Sequence, residues 1–252
     1  MILLLDMGNT RIKWGLLSEG RFQSGGAARR SDDSFAVMCA ALQSKQIIPA
    51  RVMAANVAGA NDRARLCQHV KASWGCEVEW VVTQAAAFGV INGYDQPQQL
   101  GVDRWLALIA VRNITQAATC VIDCGTAVTT DVLNSDGEHL GGMIVPGRAL
   151  MQATLINNTE GLNEVGEWKN EGEPLFLARN TTDGIMGGAY YALTALIERM
   201  ALDAQRLIGG DVKLIVSGGD GAVLSQHLQV PHQSEPDLVL KGLAMVAGEA
   251  LK

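Results

Sequence analysis

The sequence predicts an α/β protein made of two similar lobes, and the main reason is a repeated loop. An apolar run ends in Asp-x-Gly at Asp6–Gly8 and again at Asp123–Gly125, so the two aspartates are 117 residues apart. Each loop is followed by a second strand-like run, a turn, a third strand and a helix, so the order of elements is repeated as well. The chain of 252 residues is long enough for two ordinary domains. A repeat at half-chain spacing therefore predicts two lobes of related topology, residues 1–116 and 117–252.

Apolar periodicity and turn residues define the elements of the first lobe. They predict, in order, strands Ile2–Leu5, Ile12–Leu17 and Arg21–Gly26, helix Ser34–Lys45, strand Val52–Val57, helix Asp62–Trp74 and strand Val78–Val82. The first helix shows the pattern well, because Phe35, Met38 and Leu42 recur at helical spacing. Ser18-Glu19-Gly20 is typical of the turn between the second and third strands.

The second lobe begins in the same way. It is predicted to contain strands Thr119–Ile122, Val128–Leu133 and Glu138–Ile144, helix Gly147–Ile156, helix Gly184–Leu207, strand Lys213–Val216 and helix Asp237–Leu251. Residues Asn157–Arg179 carry Gly and Pro together with many charges, which favours an irregular loop over the cleft.

Composition excludes several classes of function. The net charge is −6 and the basic residues are scattered, so no nucleic-acid partner is expected. No apolar stretch approaches the length of a membrane span, and Met1–Leu5 is too short for a secretion signal. The five cysteines form no C-x-x-C pair, and the four histidines have no metal-ligand spacing. These features predict a cytoplasmic protein with reduced thiols and no membrane partner.

The first loop, Asp6-Met7-Gly8-Asn9-Thr10-Arg11-Ile12-Lys13, has the residues of a phosphate cradle. Amides and the hydroxyl of Gly8–Thr10 would approach terminal phosphates, Asp6 would hold a hydrated divalent cation, and Lys13 would add positive charge. A plain hairpin turn would use similar residues. The second copy decides in favour of the phosphate cradle, because Asp123 and the hydroxyls of Thr126 and Thr129 again follow a buried strand.

Two further loops predict contacts with a nucleotide or another ligand. Ser217-Gly218-Gly219-Asp220-Gly221 lies between an apolar strand and a helical stretch, as expected for a loop close to adenosine. Thr181-Thr182-Asp183-Gly184 precedes a helix whose first turns are rich in glycine. A plain N-cap by Thr or Asp and a substrate contact explain that second segment equally well.

The stretch from Gly93 to Trp105 contains an acidic and a basic residue next to each other at the start of a predicted helix. Val102 begins a strong apolar helical pattern, which places Asp103 and Arg104 in its first turn. An acid is favoured there by the helix dipole, but an arginine is not, so capping explains the pair poorly. A carboxylate and a guanidinium on one rigid turn can accept a hydroxyl proton and hold an anionic group.

These motifs, in this order and near these spacings, resemble the type III pantothenate kinases, which belong to the actin-like superfamily of acetate and sugar kinases. The resemblance is carried by Asp6–Thr10, Gly101–Arg104, Asp123–Ala127 and Ser217–Asp220 and runs nearly end to end. It implies ribonuclease H-like (actin-like ATPase) lobes with mixed sheets flanked by helices. It also implies ATP-dependent phosphorylation of pantothenate to 4'-phosphopantothenate, the first step of coenzyme A biosynthesis.

The resemblance also implies roles for individual residues. Asp103 would accept the proton of the pantothenate hydroxyl, in a pocket lined by Tyr94, Gly101, Val102, Asp103 and Arg104. The first phosphate loop would consist of Asp6, Met7, Gly8, Asn9, Thr10, Arg11, Ile12 and Lys13, with Mg²⁺ held by Asp6 through water. Asp123 would bind K⁺ or NH₄⁺ and Thr126 would contact ATP. Thr182 would touch pantothenate from the partner subunit of a homodimer. Two positions depart from the family pattern: Val128 stands where Thr is common, and Gly221 where Ala is frequent.

Two other functions are compatible with parts of the sequence. A sugar or acetate kinase of the same superfamily would keep both Asp-x-Gly loops but would not need Tyr94 or the Gly101–Arg104 turn. A nucleotide-binding accessory factor of transcription without transferase activity would bind ATP and release no ADP. The absence of a basic patch counts against that second alternative.

Overall fold

The computed structural model describes residues 1–31, 33–160, 162 and 177–248. They form two compact units. The first contains the described residues of 1–116, 136–139 and 237–248, and the second contains the described residues of 117–135 and 140–236. One change of unit comes after residue 116, and the described residues 237–248 belong to the first unit. The lobe bounds 1–116 and 117–252 stay a prediction.

The elements follow the order predicted from the sequence. The strands are β1 Ile2–Met7, β2 Arg11–Ser18, β3 Arg21–Arg29, β4 Arg51–Asn56, β5 Val78–Trp80, β6 Ala86–Ala87, β7 Val90–Ile91, β8 Thr119–Cys124, β9 Ala127–Leu133, β10 His139–Pro146, β11 Lys213–Ser217 and β12 Gln233–Ser234. The helices are α1 Ser34–Ser44, α2 Ala60–Trp74, α3 Val102–Ile114, α4 Arg148–Asn158, α5 Thr181–Ile208, α6 Gly221–Ser225 and α7 Leu238–Val246, with a short 3₁₀ turn at Pro97–Gln99.

The differences from the predicted elements are small and local. Two-residue strands such as β6, β7 and β12 were not predicted, because they are too short to show a periodic pattern. Most of the predicted irregular loop Asn157–Arg179 lies outside the described residues, as does the end of the predicted helix Asp237–Leu251. No helix within the described residues is both long and apolar enough to cross a membrane.

Each unit contains a five-stranded mixed sheet of the same strand order. The order is β3-β2-β1-β4-β5 in the first unit and β10-β9-β8-β11-β12 in the second. In both, the first strand pairs antiparallel with the second and parallel with the fourth. The repeat seen in the sequence is therefore a repeat of sheet topology, which confirms the predicted α/β class with two similar ribonuclease H-like lobes.

The central strand of the first unit is buried on both faces. Leu3, Leu5 and Met7 pack in a core with α1 and α2 residues, whereas Ile2 and Leu4 pack in a second core with Leu106 of α3 and Val239, Leu240, Leu243 and Ala244 of α7. This alternation follows the period of two along a strand. By the same alternation, Asp6 lies on the face of the sheet that α3 and α7 cover.

Helices α3 and α7 approach closely at a glycine. A Cβ atom on buried Gly242 of α7 would lie 2.1 Å from the carbonyl oxygen of Leu106 in α3. Only glycine fits there, and this contact with α3 ties the C-terminal helix to the first unit.

Candidate active site

The two Asp-x-Gly loops follow strands with the same burial pattern. In β1 and in β8 the first four residues and the sixth are buried, and the fifth, Asp6 or Asp123, is half-buried. Both aspartates are thus held by a central strand, with their side chains opposite in direction to the neighbouring core residues Met7 and Cys124. A carboxylate in this position is fixed by the backbone yet accessible to solvent.

The first loop turns tightly between β1 and β2. The Gly8 amide donates to the Arg11 carbonyl at 3.0 Å, and Asp6 pairs in register with Lys13. Asn9, Thr10 and Arg11 are exposed. Of the eight loop residues expected to contact ATP, Met7 and Ile12 direct their side chains into the core, with 1% and 2% exposed. These two residues offer only backbone groups to a ligand.

The second loop is one residue shorter. The Gly125 amide donates to the Ala127 carbonyl at 3.0 Å, and Thr126 at the tip is exposed. Thr129 pairs in register with Asp123 and is half-buried, so its position suits the expected phosphate contact. Thr130 is buried, and its hydroxyl accepts a hydrogen bond from the Met143 amide at 3.2 Å. This contact accounts for a threonine at position 130 without a ligand.

Two other loops of the second unit pack against the second Asp-x-Gly loop. Gly218 has φ of +91°, and a Cβ atom there would lie 2.4 Å from the amide nitrogen of Cys124. The Asp220 amide donates to the Cys124 carbonyl, and the Gly147 amide donates to the Thr126 carbonyl, both at 2.9 Å. The glycine-rich loop Ser217–Gly221 predicted from the sequence therefore packs directly on the loop that begins at Asp123.

Two carboxylates, those of Asp123 and Asp220, act on the Cys124 thiol in this part of the second unit. Burial, together with the carboxylates of Asp123 and Asp220, raises the pKa of the Cys124 thiol from 9.0 to about 12. Two carboxylates acting on one thiol indicate a local negative potential that would favour a bound cation. Carboxylate and backbone carbonyl oxygens are also the ligand types that hard cations prefer.

Arg148 is a member of this site that the sequence reasoning missed. It lies in the first turn of α4, donates from Nη2 to Asp220 Oδ1 at 3.2 Å, and its guanidinium lies 5.4 Å from the centre of the Tyr190 ring. Burial raises the pKa of the Tyr190 hydroxyl, and Arg148 opposes this shift. An arginine in a first turn opposes the helix dipole. The signal that pointed to Arg104 would therefore also have found Arg148.

The buried thiols predict a loss of stability in alkaline solution. The pKa of Cys120 and of Cys124 is raised from 9.0 to about 12, mainly by burial, with a contribution from Asp131 at Cys120 and from Asp123 and Asp220 at Cys124. Between these pH values the folded state keeps protons that the unfolded chain loses. The contribution of these thiols to the free energy of unfolding is therefore fully present below pH 9.0 and is lost as the pH rises toward about 12.

We expect urea unfolding at a series of pH values to show a smaller alkaline decline in the free energy of unfolding of the variant Cys120→Ala/Cys124→Ala than of the parent. The half-buried Cys67→Ala should decline as the parent does, and equal slopes in all three would contradict the expectation.

In the first unit, Tyr94 and Arg104 form a fixed pair. Arg104 is only 5% exposed, donates from Nη1 to the Tyr94 hydroxyl at 2.7 Å, and its guanidinium lies 5.5 Å from the centre of the tyrosine ring. The ring of His139 stacks on Tyr94 with 5.8 Å between centroids and 18° between planes. The tyrosine is therefore held by contacts with both Arg104 and His139.

Asp103 is held beside this pair by the start of α3. Its Oδ1 accepts the Arg104 amide at 2.8 Å, and a Cβ atom on Gly101 would lie 2.5 Å from that same oxygen. Glycine at 101 thus leaves the space into which the carboxylate folds. Through its contact with the Arg104 amide, Asp103 also stabilises the first helical turn. Val102 packs its side chain against the α3–α7 core.

Asn92 fixes the segment that carries Tyr94. Its side chain is 8% exposed, donates to the carbonyls of Gln84 and Pro97 at 3.2 and 3.1 Å, and accepts the Tyr94 amide at 3.0 Å. Asn and Asp commonly bond the backbone two residues on in this way. The Asn-x-Tyr spacing was therefore a readable signal that the sequence reasoning did not use.

Thr182 lies in the first turn of α5, in the second unit. The N-cap of this helix is Asn180, whose Oδ1 accepts the Asp183 amide at 2.9 Å. The simple account, in which a Thr or Asp of Thr181–Asp183 caps the helix, is therefore wrong. A side chain one position earlier has the better geometry for the N3 amide.

Metal ions fit these residues only in combination with a substrate. Among the residues that the structure describes, no three His, Cys, Asp or Glu side chains are grouped so that they could hold a metal ion. Mg²⁺ in phosphoryl-transfer sites is bound through one or two carboxylates, several waters and the phosphates themselves. A single half-buried Asp6 fits that pattern, and Asp123 with its neighbouring carbonyls fits a weakly held monovalent ion.

The duplicated mixed sheet with an Asp-x-Gly loop in each copy defines the class of actin-like ATPase folds. Solved structures of similar fold include a conserved putative Baf family transcriptional activator from Campylobacter jejuni, with a TM-score of 0.61 and 19% identity over 98% of both chains. The ethanolamine utilization protein EutJ from Carboxydothermus hydrogenoformans has a TM-score of 0.50 and 16% identity over 96% of this chain and 88% of its own. Likeness at this level of identity shows the fold alone.

Sequence similarity identifies the family within this class. The family model for type III pantothenate kinase matches residues 2–203. The type III pantothenate kinase of Nitrosococcus oceani is 38% identical over 100% of this chain and 96% of its own length. That of Aromatoleum aromaticum is 40% identical over 99% of this chain and 98% of its own. The chain belongs to the type III pantothenate kinase family, as the motifs predicted.

Proposed function

We propose that this protein transfers the γ-phosphoryl group of ATP to the primary hydroxyl of pantothenate, giving 4'-phosphopantothenate for coenzyme A biosynthesis. The observation that carries the proposal is the group formed by Tyr94, Asp103 and Arg104 at the start of α3, in a chain whose relatives over nearly the whole length are named for this activity. Neither a sugar or acetate kinase nor a transcriptional accessory factor has comparable support.

Asp103 is the residue we assign to the acceptor hydroxyl. Phosphoryl transfer is achieved mainly by positioning and by neutralising charge, with an acid that orients the attacking hydroxyl in line. The fixed position of the Asp103 carboxylate, held beside Gly101 by the Arg104 amide, supports this assignment. A carboxylate is a weak base toward an alcohol, so proton transfer would follow as the transition state develops.

Arg104 and Tyr94 would hold the substrate for this step. A buried guanidinium is a fixed positive charge, and pantothenate carries a carboxylate that such a charge can bind. The Tyr94 hydroxyl and the His139 ring keep the guanidinium and tyrosine in one arrangement. Fixed partners of this kind reduce the entropy lost on reaching the reactive geometry.

The Asp-x-Gly loops would bind ATP and its cations. Residues 6–13 would contact the phosphates, with Mg²⁺ held by Asp6 through water, and Thr126 would contact ATP in the second unit. Asp123 would bind K⁺ or NH₄⁺, and its negative charge contributes, after burial, to the raised pKa of Cys124. The ions supply charge neutralisation for the phosphates. We also assign Thr182 to a contact with pantothenate bound in the partner subunit, which requires a homodimer. We place the protein in the cytoplasm.

A coupled ADP-release assay tests the reaction and its cation. We expect ADP release only with pantothenate present, and much faster in KCl or NH₄Cl than in choline chloride of equal ionic strength. Asp123→Asn should need more K⁺ for half-maximal rate, by about tenfold, since an oxygen ligand remains but its charge is lost. Asp136→Asn, an exposed acid elsewhere, serves as control. ADP release that is independent of pantothenate, or equal with a sugar, would argue against the proposed substrate.

A further inference from the structure

Arg30 connects the first phosphate loop to another part of the first unit. It follows the last residue of β3, at the same end of the sheet as the C-terminal ends of β1 and β4. Its amide donates to the Thr10 carbonyl at 2.8 Å. Its Nη1 donates to the Asn9 carbonyl at 3.3 Å. Its Nη2 donates to the Ala58 carbonyl at 3.2 Å and to the carboxylate of Asp62.

The Ala58 carbonyl and the Asp62 carboxylate, which accept hydrogen bonds from Arg30, are themselves held in place. Asp62 lies in the first turn of α2 and its side chain is only 10% exposed, while that of Arg30 is 32% exposed. Asn56 fixes the loop before α2, because its Oδ1 accepts the Ala58 amide and its Nδ2 donates to the Gly59 carbonyl, both at 2.8 Å. The guanidinium is therefore anchored on β4 and α2 and extends to the tip of the first loop.

This anchoring has a direct consequence for the loop backbone. A trans peptide unit is planar, so the direction of the Asn9 carbonyl also sets the direction of the Thr10 amide on the opposite side. Arg30 bonds both the Asn9 and the Thr10 carbonyls and so fixes two successive peptide units. Its own charge is matched by Asp62, which makes it a poor phosphate ligand itself.

We propose that Arg30 and Asp62 are positioning residues that hold the Asn9–Thr10 backbone in the conformation that binds ATP phosphates. This inference rests on the proposed function, which assigns residues 6–13 to ATP. It predicts an effect on ATP alone, because Arg30 connects the phosphate loop to Ala58 and Asp62, whereas the Tyr94–Asp103–Arg104 group is held by other residues.

Steady-state kinetics with each substrate varied in turn test the proposal. For Arg30→Gln we expect the KM for ATP to rise about tenfold, or about 1.4 kcal/mol, with kcat and the KM for pantothenate within about twofold of the parent. Asp62→Asn should change the KM for ATP in the same direction, and Arg30→Lys should recover part of the loss. The double variant should be no worse than the worse single variant, because the two side chains act as one unit.

Controls separate this role from general stability and from the proposed function. Arg29→Gln removes the same charge from an exposed neighbour and should leave both KM values unchanged. An unchanged KM for ATP in Arg30→Gln would overturn the proposal, as would a rise in both KM values together with a lower melting temperature. Asp6→Asn should impair ATP use in either case, so an unimpaired Asp6→Asn would instead show that the assignment of residues 6–13 is wrong.

Discussion

Replacing Asp103 by asparagine should reduce kcat by about 10²-fold or more, the usual weight of a general base. The change keeps the shape of the side chain, and the amide oxygen can still accept the Arg104 amide that Oδ1 accepts in the parent. The start of α3 should therefore remain intact. Only the charge and the ability to take a proton are lost, so the effect should appear in turnover with both substrates saturating.

A matched control makes this result specific. Asp95→Asn changes the same chemical group at an exposed position of the segment that carries Tyr94, and it should turn over at close to the parental rate. ATP affinity, measured by calorimetry, and the melting temperature of Asp103→Asn should match those of the parent. Parental turnover in Asp103→Asn would remove this residue from the proposed chemistry.

Replacing Gly242 by alanine should lower the free energy of unfolding more than any other substitution considered above. The added methyl group would lie 2.1 Å from the Leu106 carbonyl oxygen, with two more Leu106 backbone atoms within 2.9 Å. Backbone atoms of a packed helix cannot move aside cheaply, so α7 would have to shift on α3. We expect the free energy of unfolding to fall by about 3 kcal/mol, the upper range for overpacking.

Urea unfolding of Gly242→Ala and of Gly210→Ala provides the comparison. Gly210 is exposed, and a Cβ atom there would meet no heavy atom within 4 Å, so alanine should be tolerated with little change. A free energy of unfolding for Gly242→Ala equal to that of the parent would mean that α3 and α7 are not packed as described. A loss confined to Gly242→Ala would support the close helix contact.

Local pattern was sufficient for most of the fold. β1 and β8 could be recognised because each is a short continuous apolar run, typical of a strand buried on both faces, that ends in an aspartate. The duplicated order of elements could also be read from the sequence, and the structure shows it as the same strand order in both sheets. The arginine in the first turn of α3 was informative for a similar reason, because it conflicts with a local rule.

The contacts that connect distant segments had no such signal. Arg30 bonds Asp62 across 32 positions, and Arg148 bonds Asp220 across 72. Apolar pattern shows that α7 has a buried face, but not which unit covers that face. Tertiary packing decided this, because α7 packs on the Leu106 backbone at position 242, where only glycine fits.

The amino-acid sequence by itself thus determined the two Asp-x-Gly loops, the repeated topology and the Tyr94–Arg104 segment, because each depends on spacing along the chain. The tertiary structure alone decided how those loops are supported, by Arg30 and Asp62 in the first unit and by Gly147, Gly218 and Asp220 in the second. Such support depends on hydrogen bonds and close contacts between residues far apart in sequence, and these are formed only when the sheets bring the strand ends together.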